Sequence, residues 1–221
     1  VNGSSQVMMV RTVPSAADDY TRAEYSTFWA EPFDTNRRRH TYQWMVYFPE
    51  DYLVGIDEIR GDWHLITQFV TDPCARYPRE DDFAHFADGR ICYPGGIFNE
   101  ARINHEDHDS FDFQYRAAPD CSTLSYTYPR GEWIQFTYDI FWTTESDGYH
   151  ALWANGELIG RAGNVRTLPE GFVEGRCDIR WKVGLYDSWT DSEIESVHYY
   201  LDNLEMYIDR ELSVVCPDCA S

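Results

Sequence analysis

The sequence predicts an all-β fold in which antiparallel sheets pack as a sandwich, and three observations favour it. Short segments of alternating apolar and polar residues recur along the chain, with turn signals between them. No convincing amphipathic helix appears among these segments. Asn155-Gly156 separates two of them, and this dipeptide is typical of a tight hairpin because both residues accept positive φ. At 221 residues the chain fits one large domain, residues 1–221, which is an ordinary size for a sandwich.

The strands are predicted in chain order from this alternation. The first is an apolar run that Pro14 ends, and the full set covers residues 7–13, 20–29, 40–47, 63–70, 133–143, 149–154, 180–186 and 198–208. Pro49 closes the third of these, since proline cannot donate to a central ladder. Residues 71–96 are rich in Pro, Asp, Arg and Gly and predict a long functional loop. Residues 102–108 predict a solvated turn, with metal ligation by His105 and His108 as the alternative.

The strand at residues 180–186 is the most informative, because Lys182 is the only lysine among the 18 Lys and Arg residues of the chain. At period two, one face of this strand is polar and the other is apolar. The polar face carries Arg180, Lys182, Gly184 and Tyr186, and the apolar face, which is expected to enter a core, carries Trp181, Val183 and Leu185. On alternation alone, an ordinary half-buried strand with a wet polar face is the simpler interpretation.

Composition limits the classes of partner. The formal net charge of −20 argues against nucleic acid, because neutralising phosphates needs a basic face. The local field of a cleft can still bind an anion, since salt screens the more distant charges. Aromatic residues make up 16% of the chain, more than a core of this size needs, so some are expected to line a groove. No apolar run is long enough to cross a bilayer, so no membrane partner is expected.

Six cysteines suggest disulfides in a secreted protein, because their number is even and disulfides persist in oxidising compartments. Their pairing stays open. Cys216 and Cys219 form a C-x-x-C near the C-terminus, where a terminal staple is favoured over a metal site because no second C-x-x-C exists. We expect the secreted chain to act as a monomer.

Several segments occur in an order that resembles the jelly-roll polysaccharide lyases related to heparin lyase I and glucuronan lyase. They are Arg22-Ala23-Glu24, Tyr47-Phe48-Pro49-Glu50-Asp51-Tyr52, Thr67-Gln68-Phe69, Gly131-Glu132-Trp133, the hairpin from Ser146 to Leu158, and Trp181-Lys182-Val183-Gly184-Leu185-Tyr186. The related alginate lyases share the same R-x-E, Q-x-H and K-x-G logic. The resemblance covers most of the chain and implies a β-jelly-roll sandwich of the concanavalin A-like kind.

The resemblance also implies β-elimination on an acidic, uronate-containing polysaccharide. Arg22 and Gln68 occupy the positions that would neutralise the uronate carboxylate. Tyr186 matches the strand tyrosine that protonates the leaving oxygen and could also act as base, a task for which nearby cations such as Lys182 and Arg180 would favour its anion. No cofactor is required for this chemistry.

Val70 stands where the family has histidine, so the identity of the base is open. His64 and His40 are the candidates, and tyrosine acting alone is the alternative. Arg180, Arg39 and Glu24 are predicted to contact substrate. Tyr42 and Trp44 are candidates for stacking on sugar rings, although each is equally suited to a core.

Asp202 sits where sandwiches of this kind often hold a structural calcium, and a capped turn would explain it equally well. Two other functions remain open from sequence. Val70 favours a non-catalytic carbohydrate-binding module on the same sandwich. A glycoside hydrolase would need two carboxylates about 5 to 9.5 Å apart, and no E-x-D-x-x-E strand is present to supply them.

Overall fold

The structure is a computed structural model. It describes residues 7–12, 21–26, 36–53, 64–72, 84–85, 91–92, 99–103, 110–115, 123–168, 172, 178–187, 197–212 and 216. The strands within these residues are β1 (Met8–Thr12), β2 (Thr21–Ser26), β3 (Arg38–Tyr47), β4 (His64–Asp72), β5 (Ala84–His85), β6 (Ile91–Cys92), β7 (Asn99–Ile103), β8 (Ser110–Tyr115), β9 (Thr123–Thr127), β10 (Trp133–Trp142), β11 (Gly148–Ala154), β12 (Glu157–Val165), β13 (Asp178–Asp187) and β14 (Val197–Ile208).

Twelve of these strands form two six-stranded sheets, and every pairing is antiparallel. The first sheet has the order β1-β14-β3-β10-β11-β12, and the second has the order β2-β13-β4-β7-β8-β9. Strands β5 and β6 pair separately. Neighbouring strands come from distant parts of the chain, as when β13 lies between β2 and β4. The predicted antiparallel sandwich is confirmed.

The core between the sheets is built from aromatic rings. Trp181 of the second sheet contacts Tyr42 at 5.1 Å and Trp44 at 5.5 Å between ring centroids, both in tilted or edge-on geometry. Phe69 contacts Tyr138 of the first sheet at 5.3 Å. Edge-to-face pairs of this kind add about 0.5 to 1.5 kcal/mol each beyond the burial of apolar area.

This packing corrects the prediction for two aromatic residues. Tyr42 is 2% exposed and Trp44 is 3% exposed, and both lie between the sheets, so neither is available to stack on a sugar ring. The physical reason is that Tyr42 and Trp44 share the face of β3 that also carries Val46, and all three side chains belong to the hydrophobic core.

The predicted Asn-Gly hairpin joins β11 and β12. Asn155 has φ 50° and Gly156 has φ 81°, the pair of positive values that a type I′ turn requires. The Asn155 amide donates to the carbonyl of Gln135 at 2.8 Å, and the Asn155 Oδ1 accepts from the Gln135 amide at 2.8 Å. The turn is therefore also tied to β10.

Six strands lie outside the predicted ranges. Strands β5 and β6 fall in the expected loop at 71–96, β7 overlaps the start of the turn expected at 102–108, and β12 is the second strand of the Asn-Gly hairpin. Strands β8 and β9 lie in segments with many Ser, Thr and Asp residues. Phe111 and Phe113 are each 1% exposed and fix β8 to the core. His105 and His108 lie outside the described residues. In the described part of the chain, no helix has the length and apolar character needed to cross a membrane.

Near the C-terminus, Leu212 and Cys216 pack on the outer face of the first sheet. Cys216 is disulfide-bonded and clusters with Ala151 and Trp153 of β11, together with Leu212. The Cys216 amide donates to the Leu212 carbonyl at 2.7 Å.

Candidate active site

Strand β13 divides its side chains as the sequence predicts. Trp181, Val183 and Leu185 are 2%, 1% and 0% exposed and belong to the core. Trp181 and Leu185 point into the core, so the residues that follow them, Lys182 and Tyr186, lie on the outer face of the second sheet. The β13–β4 register shifts between Val183 and Tyr186, but Val183 and Leu185 both stay in the core. The Lys182 side chain is 18% exposed, and Tyr186 is half-buried. The polar face of β13 is therefore neither interior nor fully solvated.

Gly184 allows β2 to approach β13 closely. Its φ is +146°, and a Cβ added there would lie 2.2 Å from the Ala23 carbonyl oxygen and 2.5 Å from the Glu24 Cα. Such distances are incompatible with any side chain. Glu24 is the register partner of Gly184, so the bare backbone of the glycine sets where Glu24 stands.

Glu24, Lys182 and Gln68 form one polar cluster across three adjacent strands. The Glu24 Oε2 lies 3.8 Å from the Lys182 Nζ, and the Glu24 Oε1 accepts a hydrogen bond from the Gln68 Nε2. Lys182 and Gln68 are direct register partners. The Glu24 side chain is 4% exposed and Gln68 is 5% exposed. Because an ionised carboxylate only accepts, Glu24 fixes the amide orientation of Gln68 as well as pairing with Lys182.

Arg22 stands directly opposite Tyr186 in the β2–β13 register, and Arg180 stands opposite Val70 in the β13–β4 register. Lys182 is four residues from Tyr186 along the strand, or about 13 Å at ~3.3 Å per residue. Arg22 is paired with Tyr186 through the backbone, whereas Lys182 has its own carboxylate partner in Glu24.

His64 is placed differently from the prediction. Its Nε2 is hydrogen-bonded to the Tyr52 hydroxyl at 2.7 Å, and His64 is 0% exposed. Tyr52 packs against Phe48 and Tyr199 in the core, so the ring of His64 is on the interior side of β4. A β-bulge between Leu65 and Thr67 is the reason, because an extra residue reverses the alternation beyond it. His64 does not share a face with Gln68.

His40 also lies on the interior side, on the first sheet. Its Nδ1 is hydrogen-bonded to the Tyr42 hydroxyl at 3.0 Å, and its ring meets Trp142 edge-on. Burial lowers the pKa of His40 to about 4, the opposing field of Asp209 being smaller. The imidazole of His40 is therefore neutral and enclosed, and it faces away from the outer surface of the second sheet. The prediction that His40 acts as the base is corrected.

The prediction that Arg39 contacts substrate at this site is also corrected. It lies on the outer face of the first sheet, where its Nε donates to the Asp139 Oδ1 at 2.8 Å. The core of the sandwich separates it from Lys182 and Tyr186.

Asp202 caps a local irregularity of β14. Its Oδ1 accepts from the Asn203 amide at 2.8 Å, Asn203 has φ 49°, and the β14–β3 register shifts at this point. Within the described residues, no group of three or more His, Cys, Asp or Glu side chains is arranged to hold a metal ion. The capped-turn explanation accounts for Asp202, and calcium there stays a prediction.

Comparison with known proteins agrees with this geometry. The polysaccharide lyase family model matches residues 1–205, and the chain therefore belongs to the polysaccharide lyase family. A search of curated protein sequences finds no match. The chain is thus a polysaccharide lyase by family, with a jelly-roll sandwich as its fold.

Solved structures share the fold at low identity. An endo-β-1,4-glucuronan lyase from Trichoderma reesei is similar at TM-score 0.61 and 16% identity, over 99% of this chain and 92% of that one. The alginate lyase vAL-1 from Chlorella virus follows at 0.54 and 12%, over 92% and 88%. An endo-1,3-β-glucanase from Streptomyces sioyaensis reaches 0.55 and 8%, over 91% and 75%. Since these proteins act on different glycans, the fold leaves the substrate undecided.

Proposed function

We propose that this secreted, monomeric chain cleaves a uronic-acid-containing polysaccharide by β-elimination on the outer face of the second sheet. The observation that carries the proposal is the polar cluster of Glu24, Lys182 and Gln68, which lies on the same face as Tyr186. Membership of the polysaccharide lyase family supports it. The proposed substrate is a polymer such as glucuronan or alginate.

The first step of the proposed reaction is recognition of the uronate carboxylate. Gln68 already gives one N–H to Glu24, which leaves its second N–H for the substrate. Arg22, opposite Tyr186 in register, offers a guanidinium that can bind the same carboxylate through two parallel hydrogen bonds. Neutralising this carboxylate makes the proton on the adjacent carbon more acidic.

Tyr186 then acts first as base and afterwards as acid. Its phenolate takes the proton α to the carboxylate, the electron pair forms a carbon–carbon double bond, and the glycosidic C–O bond at the β carbon breaks. The phenol returns its proton to the departing oxygen, so Tyr186 ends as phenolate. With His40 and His64 on the interior side, Tyr186 acting alone is the version that the described residues support best.

Glu24 has a positioning role in this scheme and does not contact substrate itself. Both its oxygens face groups of its own chain, and its side chain is 4% exposed. It holds the Lys182 ammonium and the Gln68 amide in one arrangement, which lowers the cost of organising them around the substrate.

A non-catalytic carbohydrate-binding module is the second candidate, and Val70 favours it because the family's histidine is missing there. The experiment offers glucuronan, alginate, heparin and ulvan to the protein and follows absorbance of the unsaturated uronate together with new reducing ends. We expect both signals to rise on at least one polymer. Binding without either signal would support the module, and reducing ends without absorbance would support a hydrolase.

A further inference from the structure

The outer face of the first sheet carries an array of arginine and aromatic side chains that the catalytic proposal does not use. Arg39, Phe141, Tyr149 and Gly163 are register partners in succession across β3, β10, β11 and β12. The rings of Phe141 and Tyr149 are stacked, with centroids 6.2 Å apart and 13° between their planes. This array lies on the side of the sandwich opposite to Lys182 and Tyr186.

A buried carboxylate holds the array rigid. Asp139 is 2% exposed and accepts from the Arg39 Nε at 2.8 Å and from the Thr41 hydroxyl at 2.7 Å. The Tyr149 hydroxyl lies within the electrostatic influence of the Asp139 carboxylate. Burial, and then the charge of Asp139, raise the pKa of Tyr149, so its hydroxyl stays a neutral donor. Such a satisfied network fixes the side chains that surround it.

Arg161 stands over this rigid base. It is exposed, and its guanidinium carbon lies 5.8 Å from the centre of the Tyr149 ring. Nearby arginines have carboxylate partners, as in the pair of Arg37 with Asp147 at 2.9 Å. No carboxylate within the described residues forms a salt bridge with Arg161. A guanidinium that uses its face on a ring keeps its N–H donors, which lie in its plane, for an anion.

Gly163 leaves room for a ligand beside the ring. It is the register partner of Tyr149, and a Cβ added to it would meet no atom within 4 Å. A chain molecule can therefore lie against the backbone of β12 next to Tyr149 and Arg161. The protein has 38 acidic and 18 basic residues, so an arginine that has no carboxylate partner within the described part of the chain is an uncommon positive site on its surface.

We propose that Arg161, Tyr149 and Gly163 form a second, non-catalytic site that binds the carboxylates of a uronate polymer on the face opposite to the active site. The inference rests on the proposed function, because it takes the same class of polymer as ligand. Charge complementarity selects this ligand, since Arg161 and the partly exposed Arg39 offer N–H donors to carboxylates. A second contact on the same polymer raises its effective concentration near the active site.

The test is affinity electrophoresis of the full chain through gels that contain glucuronan or alginate, with gels of a neutral glucan beside them. Each protein carries Tyr186→Phe so that the polymer stays intact. Arg161→Ala and Gly163→Gln are compared with Arg11→Ala, which removes the same charge from an exposed position on the outer face of β1. The same substitutions in the active protein are assayed on a short oligouronide.

We expect Arg161→Ala to weaken retardation by about five- to tenfold, because one charge-assisted contact is lost. Gly163→Gln should weaken retardation as well, because its side chain fills the open space beside the Tyr149 ring. The Arg11→Ala protein should be retarded as strongly as the parent protein, and the neutral glucan should retard none of the proteins. Turnover of the short oligouronide should be unchanged by these substitutions. Equal weakening by Arg11→Ala, or no weakening by Arg161→Ala, would overturn the second site. If the wild-type chain gives no lyase signal but Arg161→Ala still loses retardation, the catalytic proposal alone would be refuted.

Discussion

Glu24 is the residue through which three strands of the second sheet meet in a single polar cluster. Its carboxylate is nearly enclosed, pairs with the only lysine of the chain at 3.8 Å and accepts from Gln68. Removing one partner of an enclosed pair leaves the other charge without compensation, which costs more than the pair itself contributes.

Glu24→Gln is therefore expected to lower the free energy of unfolding by about 2 kcal/mol, less than the ~3 to 5 kcal/mol for a fully buried pair, because Lys182 keeps some exposure. We also expect kcat to fall about tenfold, since Lys182 and Gln68 lose their common anchor. Urea unfolding and initial rates measure the two effects. Glu157→Gln, at an exposed position of β12, is the control. An unchanged kcat in Glu24→Gln would show that the cluster is irrelevant to catalysis.

His40 gives a prediction about pH. Burial holds its pKa at about 4, whereas an unfolded chain restores it to about 6.5. The unfolded state thus binds the extra proton between these values, and stability falls as pH decreases from 6.5 towards 4. We expect His40 to contribute about 1.4 kcal/mol per pH unit to this slope. Urea unfolding between pH 6.5 and 4.5 should show a shallower slope for His40→Gln, and equal slopes would contradict the assignment.

At the scale of strands, the pairing of β2 with β13 depends on Gly184. An added methyl group would collide with the Ala23 carbonyl and the Glu24 backbone, so β2 would have to move and Glu24 with it. We expect Gly184→Ala to cost at least about 2 kcal/mol of stability and most of the activity. Gly163→Ala is the matched control, with activity measured on a short oligouronide, because open space surrounds that position. Thermal unfolding and initial rates measure the two effects. A Gly184→Ala protein with wild-type stability and activity would contradict the close approach of β2 to β13.

Alternation alone placed the side chains of β13 correctly, because no residue of its apolar face is displaced. The same reasoning failed for His64, since the bulge at Leu65 is set by pairing with β7 and leaves no mark in the period of the sequence. The contact of Glu24 with Lys182 was equally hidden, because it depends on the register of two strands far apart in the chain. Strands β8 and β9 escaped prediction because their polar composition resembles that of a loop.

At the scale of the whole molecule, the net charge of −20 opposes the approach of a polyanion. Salt shortens the reach of this repulsion from about 30 Å at 0.01 M to about 8 Å at 0.15 M ionic strength, while short contacts within the site persist. We expect kcat/KM on a uronate polymer to rise severalfold over this range, with kcat nearly constant. Progress curves at graded NaCl measure it. A steady decline of kcat/KM from the lowest salt would show that the site's own cations dominate the encounter.

The most direct test of the catalytic proposal is the initial rate of absorbance increase on the polymer that the wild-type chain cleaves, measured for Tyr186→Phe and for Tyr25→Phe. Both variants lose one hydroxyl from the paired strands β13 and β2, and Tyr25 is 51% exposed. We expect Tyr186→Phe to be slower by at least about a hundredfold, the usual contribution of a positioned acid–base group, and Tyr25→Phe to match the wild type. A Tyr186→Phe protein that retains the wild-type rate would contradict the account.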